Sequence, residues 1–259
     1  MMLAIYTLWR REVVRFFRQP GRVVGALATP LFLWFFAQSG FGSSFRLMTV
    51  NSDISYGQYF FPGTLMLMIL FTAIFSNISV IQDRNEGFLQ AVLVSPVSRY
   101  AIVIGKLMGG MTLALIQGAL ILLIAPWAGI PLTWTTYFES VMVLAAVGFV
   151  VTGIGFMVAW PSTSVQGFHA VMNLFLMPMW LMSGAAFPAE SASVWMRWIM
   201  QVNPMYYGNV FLQRTLYPVN HPILERLPSS MVCWILLAVS AVVLSVGCSI
   251  LVKRYRAII

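Results

Sequence analysis

The sequence predicts an all-α integral membrane protein: six transmembrane helices, an N-terminal amphipathic helix at the interface, and an outward-facing helix–break–helix element before the last span. Three observations predict it. The 259 residues are 60% hydrophobic and 8% charged, whereas soluble domains carry about 25% charged residues. Six apolar runs, at 23–41, 59–82, 107–126, 138–160, 169–187 and 230–252, meet the ~20 residues that a bilayer-spanning helix needs. Basic residues are also split unequally between the loops. With six spans, one side holds Arg10, Arg11, Arg15, Arg18, Arg22, Arg84, Arg99, Lys106, Lys253, Arg254 and Arg256, and the other only Arg46, Arg197, Arg214 and Arg226. Cytoplasmic loops concentrate Lys and Arg, so both termini are expected in the cytoplasm. The net charge of +8 then reflects topology and contact with anionic lipid rather than nucleic-acid binding.

Residues 1–22 interleave Leu3, Tyr6, Val13, Phe16 and Phe17 with arginines, and Pro20-Gly21 ends the segment. A helix lying on the membrane surface and a simple charged anchor both fit this pattern. The run Val23–Phe36 followed by Ala37-Gln38-Ser39 imitates a cleavable signal, but the preceding segment is too long for an n-region, so a retained span is expected. Residues 42–58 read as a polar outside loop, 127–137 as a short outside turn with Pro131, and 161–168 as an inside turn opened by Pro161. Pro30, Pro62 and Pro178 fall within or at the ends of spans, which membrane helices tolerate. The glycine pairs Gly105/Gly109 and Gly153/Gly155 permit close helix packing.

The connector 83–106 is not a limp loop. Phe88, Leu89, Val92 and Leu93 recur at helical spacing and predict one apolar face. Asp83 and Glu86 flank the helix start, where carboxylates suit the dipole. The helix must end near Ser95, because a residue before proline is pushed out of the helical region. Residues 188–229 are also unusual. Trp195, Trp198, Ile199 and Val202 make one stripe, Asn203-Pro204 breaks it, and Tyr206, Tyr207, Val210 and Phe211 begin a second piece. Neither piece is long enough to span. The expectation is an element dipping into or lying on the outer leaflet, with its break packed against the fifth and sixth spans.

Several function classes lack their residues. No span carries an acid or base at its centre; Glu139 and His169 sit at span ends. Ion-coupled carriers and voltage sensors need such groups. The Gly105-Lys106 pair lacks the remaining glycines of a P-loop, and no GxSxG or HExxH occurs. Seventeen methionines, with Met66/Met68 and Met177/Met179 as pairs, raise a Cu(I) reading. No Cys or His joins either pair, so Met is read as a pliable filler and no metal site is expected. The second span carries Thr64, Thr72, Ser76, Ser79 and Asp83 on one stripe, with Phe71 and Phe75 beside it. The fifth carries Asn173, Trp180, Ser183 and Gly184. Helix–helix hydrogen bonding and a pathway lined by small polar and aromatic groups both account for these stripes.

Two motifs carry a resemblance. The run Glu86-Gly87-Phe88-Leu89, then Leu93 to Arg99 with Ser95-Pro96, then Gly105-Lys106, resembles the coupling helix and third span of the membrane subunits of type-2 ABC exporters, drug-resistance and nodulation-factor permeases among them. Ser183-Gly184, Phe187-Pro188, Trp195, Trp198, Asn203-Pro204, Tyr206-Tyr207 and Arg214 are similar to the outward signature of that family. Arg11-Glu12, Arg15, Arg18 and Pro20 look like its connecting helix. Ser193 departs from the pattern, which often has proline there.

The resemblance covers the chain as a single permease domain, 1–259. It implies a bacterial inner-membrane dimer, with an identical or paralogous second permease, bound to two ABC-type ATPase subunits. ATP and Mg belong to those partners, and no cofactor is expected on this chain. The coupling residues it implies are Asp83, Glu86, Gly87, Phe88, Leu89, Val92, Leu93, Ser95, Pro96 and Arg99. It places Phe71, Phe75, Phe175 and Met179 toward the dimer axis, with Thr72, Ser76 and Asn173 nearby. Such a lining suits drug-like or lipid-like cargo moved outward. Two rivals are an intramembrane transferase, for which no polar reactive cluster is visible in the sequence, and a non-transporting assembly subunit.

Overall fold

The computed structural model describes residues 1–48, 54–189, 192–217, 222–225 and 227–254, of which 41–48 and 222–223 are described by their backbone alone. Every regular element among them is helical: α1 (Met2–Phe17), α2 (Pro20–Met48), α3 (Tyr56–Asn85), α4 (Phe88–Val94), α5 (Arg99–Leu122), α6 (Trp134–Ala159), α7 (Val165–Trp180), α8 (Val194–Val202), α9 (Pro204–Leu216), α10 (Pro222–Glu225) and α11 (Ser230–Arg254). Local chemistry sets many of the boundaries. Ser55 and Gln58 form a reciprocal capping box at the start of α3. The side chains of Ser98, Thr133 and Ser164 accept backbone N–H bonds at the starts of α5, α6 and α7. Asn203 caps α9, with Pro204 as its first residue.

Six helices are long and apolar enough to cross a membrane: Pro20–Gly40, Tyr56–Asn85, Arg99–Leu122, Trp134–Ala159, Val165–Ala185 and Ser230–Arg254. Their boundaries correct the sequence reading at several ends: α3, α6 and α7 begin at Tyr56, Trp134 and Val165, inside the segments expected as loop or turn. Helix α2 likewise runs on through residues 42–48 of the expected 42–58 loop; residues 49–53 lie outside the described residues. Helix α3 continues to Asn85, so Asp83 closes a span rather than opening the connector. Helix α5 begins at Arg99, so Lys106 is an interior helical residue. An apolar window stops at a charge, whereas a helix continues through a charge that finds a buried partner.

Helix α3 is the hub, buried along almost its whole length. It packs on α2, α5, α6, α7 and α9, while α5 pairs with α6 and α1. Glycines permit the closest approaches. Gly63 of α3 lies against the backbone of Ala185, and Gly148 of α6 lies against Ala114 of α5. By contrast, Phe32, Phe35 and Phe36 of α2, Leu174 and Phe175 of α7, and Val239, Val242 and Val243 of α11 are exposed apolar side chains.

Beyond Trp180 the fifth span unwinds through a π turn, Leu181–Ala185, with non-helical dihedrals at Met182 and Gly184. Neutral donors satisfy the freed carbonyls. Asn203 Nδ2 donates to the carbonyls of Met179 (2.6 Å) and Met182 (3.1 Å), Asn209 Nδ2 to Ser183 (3.2 Å), and the Tyr59 hydroxyl to Gly184 (3.0 Å). The element from 188 onward is divided. Helix α9 is buried among α3, α6 and α11, whereas α8 keeps Trp195, Trp198 and Val202 exposed. Residues 190–191, 218–221 and 226 of that element lie outside the described residues.

Gly63→Ala should lower stability by about 1–3 kcal/mol, because a core that cannot yield is overpacked. The added Cβ would stand 2.7–2.9 Å from Ala185 Cβ, carbonyl oxygen and Cα. Gly21→Ala, where nothing lies within 4 Å, should be neutral or slightly stabilising. Melting of the two purified variants in detergent checks the contrast.

Candidate coupling site

The site begins with two glycines. A Cβ on Gly105 would meet Leu8 Cβ at 2.8 Å, and one on Gly109 would meet Glu12 Cβ at 2.7 Å. With no side chain in either place, α1 lies directly on α5. This contact carries Glu12 into the bundle, where only 4% of its surface remains exposed. Lys106 Nζ, equally buried, donates to Glu12 Oε1, to Asp83 Oδ2 at 2.6 Å and to Ser79 Oγ at 3.1 Å. The Ser79 hydroxyl donates in turn to Glu12 Oε2 at 2.5 Å.

Arg11 grips Asp83 with both terminal nitrogens, each at 2.7 Å. Arg15 bridges Asp83 (2.5 Å) and Glu86 (2.9 Å). Three carboxylates thus meet three cations at one end of the bundle, and Asp83 is fully buried among them. Burial opposes the Arg11 charge. The hydrogen bond and charge of Asp83, with Glu12 and Glu86, outweigh it and hold the Arg11 pKa above its ordinary value.

The cluster fastens α4. The Arg11 guanidinium lies 3.7 Å above the centre of the Phe88 ring, and Arg15 holds Glu86, the residue that caps α3. Gly87 turns the chain at φ 77°, a left-handed conformation natural to glycine. Leu89 is buried, and Phe88, Val92 and Leu93 are partly so. Ser95 is extended at ψ 159° before Pro96, and α4 stops there. Gln90, Ala91, Val94 and Pro96 face outward, Val94 being 85% exposed. Arg99 opens α5 and is half-buried. On the other flank, Arg84 donates to the carbonyls of Trp160 and Ser162 and lies over the Trp160 ring, which ties the end of α3 to the α6–α7 turn.

Of the residues expected on a docking surface, Asp83 is therefore inside. Glu12, Ser79 and Lys106 belong to the cluster although sequence reasoning did not place them there. One signal pointed to them: Glu12 is the sole acid before residue 53, and Lys106 is one of only two lysines.

The expected pathway residues divide. Thr72 is fully buried, with its hydroxyl 2.6 Å from Gln117 Oε1 and 2.9 Å from the Met68 carbonyl, and Ser76 bonds to Ala73 within its own helix. Those two groups serve packing inside this protomer. Phe71 and Phe75 stack on each other, and Phe75 meets His169 of α7 edge-on. Phe175 and Asn173 are exposed, and Met179 is partly buried. In the outward element, Tyr206 and Tyr207 are buried, and the Tyr207 hydroxyl donates to the Gln201 carbonyl at 2.6 Å.

Lys106→Met should destabilise the protein by about 3–5 kcal/mol, the usual cost of removing one partner from a buried ion pair. Glu12→Gln combined with Lys106→Met should recover at least ~1 kcal/mol of the sum of the two single losses, because the pair then disappears together. A thermodynamic cycle of melting in detergent measures this, and strictly additive losses would show that the two charges do not act as a pair.

The family model for ABC-2 type transporters matches residues 3–217. A protein of Escherichia coli (strain K12) named "Probable multidrug ABC transporter permease YbhR" is 31% identical over 159 residues, 60% of this chain and 42% of that relative. The match thus spans less than half of the relative's length. Nodulation protein J of Rhizobium leguminosarum bv. viciae is 24% identical over 213 residues, 81% of this chain and 80% of that one. The matched region contains α1, the ion cluster, α4 and the broken fifth span, and the chain belongs to the ABC-2 type transporter family of transport permeases.

Proposed function

We propose that the chain is the membrane half of an ATP-driven exporter. In this reading α4 docks on a separate ABC-type ATPase, and a second permease, identical or paralogous, completes the pathway. Both termini face the bacterial cytoplasm, and the cargo is hydrophobic or amphipathic, drug-like or lipid-like. One observation carries the reading. Helix α4 is pinned from behind by Arg11, Arg15 and the cap at Glu86, while Gln90, Ala91 and Val94 are left open in front. A helix that only floated in headgroups would have no need of a rigid mount, whereas a helix that receives a push must transmit it. The apolar faces of α2 and α7, with Phe36 and Phe175 exposed, are where a second permease and a greasy cargo fit best. The multidrug naming of the Escherichia coli relative agrees with such a cargo.

Val94→Asp places a charge in the middle of the proposed docking face. With the ATPase co-expressed, it should cut permease-stimulated ATP hydrolysis at least tenfold while membrane insertion stays normal. Glu86→Ala removes one of the two carboxylates that hold Arg15 and should give a smaller loss. Unchanged hydrolysis in both variants would remove α4 from coupling. Phe175→Ala should alter stimulation by cargo but leave basal turnover and assembly intact. Orientation is read separately by placing a cysteine at the exposed Ser193 after Cys233 and Cys248 are changed to Ser. It should react with an impermeant reagent added to intact cells, and reaction only after permeabilisation would invert the topology.

A further inference from the structure

Helix α1 has two chemically different sides. Leu8, Glu12 and Phe16 are buried against the bundle. The outward side is a stripe of Leu3, Tyr6, Arg10, Val14, Phe17 and Arg18, all exposed. Charge is not balanced across these sides. Arg11, Arg15 and Lys106 match Glu12, Asp83 and Glu86. Arg10 and Arg18 have no acidic partner among the described residues. They border an open cleft of about 480 Å³ along the surface of α1 itself, lined also by Tyr6, Thr7, Arg11, Val14 and Arg15.

We infer that this cleft binds the phosphate headgroup of an anionic phospholipid. Unpaired guanidinium forks match phosphate oxygens in charge and geometry. The same stripe supplies Leu3, Tyr6, Val14 and Phe17, an apolar border suited to the boundary between headgroups and acyl chains; a soluble anion would have no use for it. Pro20 opens α2 just beyond Arg18, so if α2 crosses the bilayer, α1 lies at headgroup depth. Arg11 and Arg15 face the cleft while they hold Asp83 and Glu86. Glu86 keeps 56% of its side chain exposed and is the carboxylate that a headgroup can displace. Lipid charge is thereby sensed next to the mount of α4.

This inference rests on the reading of α2 as a span, but not on which face of the membrane is cytoplasmic. The test uses the full chain in detergent micelles, which have no sides. Phosphatidylglycerol or phosphatidylcholine is titrated in, and bound lipid is counted by native mass spectrometry. Phosphatidylglycerol should bind preferentially. Arg10→Gln with Arg18→Gln should weaken it roughly 30-fold, since each arginine near an anionic surface is worth roughly fivefold. Lys253→Gln with Arg254→Gln removes the same charge from the end of α11 and should change binding less than twofold. Arg10→Lys with Arg18→Lys keeps the charge without the fork; it should lose only part of the affinity, and it stands in if the Gln pair misfolds. Equal losses in the Gln pair and the α11 pair, or equal binding of the two lipids, would overturn the site, leaving only general surface charge. Displacement by inorganic phosphate at equal concentration would overturn it in favour of a soluble anion. Retained lipid with loss of ATPase co-purification in the Arg10/Arg18 variants would assign the face to the protein partner instead.

Discussion

The buried ion cluster at Lys106 is the constraint on which one end of this molecule depends. Taking an ammonium and two carboxylates out of water costs several kcal/mol for each ion unless every charge meets an opposite one in good geometry. Lys106 reaches Glu12, Asp83 and Ser79 together only because α1 lies directly on Gly105 and Gly109. The glycines and the charges are thus one device. The glycines bring the helices close, and the charges make any other spacing unfavourable. Apolar packing alone would hold α1 to α5 but would tolerate sliding, because hydrophobic burial is non-directional. Hydrogen-bonded ions are directional and fix a register.

That register has a mechanical consequence. Arg11 and Arg15 extend from the same helix to Asp83, Glu86 and Phe88, and Arg84 ties the end of α3 to the α6–α7 turn. In the proposed coupling, displacement of α4 would pass to α1, α3 and α6 rather than be absorbed by a loose loop. The left-handed turn at Gly87 and the extended Ser95-Pro96 step bound the helix on either side. A short helix so mounted suits the proposed permease, which answers a motor outside the membrane.

Much of this was legible in the residues, for reasons that differ element by element. The six spans follow from composition, and the end of α4 from the steric demand of Pro96. The helix break at Asn203-Pro204 follows from proline chemistry. The ion cluster was not legible, because Glu12 and Asp83 are 71 positions apart and meet at Lys106 only through tertiary contact. A charge near a span end reads as water-facing by default, and burial reverses that meaning. The same limit applied to Thr72 and Ser76. A hydroxyl stripe looks alike whether it lines a passage or bonds to Gln117 and to its own helix. The fate of α9 was half legible: its length ruled out a span, but only packing among α3, α6 and α11 places it inside.

At the opposite end of the bundle, the broken turn of the fifth span solves a related problem without ion pairs. Where α7 unwinds at Leu181–Ala185, its carbonyls need donors, because an unmet backbone group away from water costs as much as a lost hydrogen bond. Asn203 and Asn209, at the cap and within α9, and Tyr59 of α3 supply amide and hydroxyl donors. Farther out, beyond the broken turn, the Arg214 guanidinium donates to the carbonyls of Leu224, Leu227 and Pro228. Neutral donors make weaker and more exchangeable bonds than charge pairs do. The cluster is thus held by strong, mutually dependent ion pairs and the broken turn by single neutral bonds that can be traded one at a time. The fifth span already departs from helical dihedrals at Met182 and Gly184, whereas the cluster fixes the register of α1 on α5. In the proposed exporter, that asymmetry suits a machine driven at one end and opening at the other.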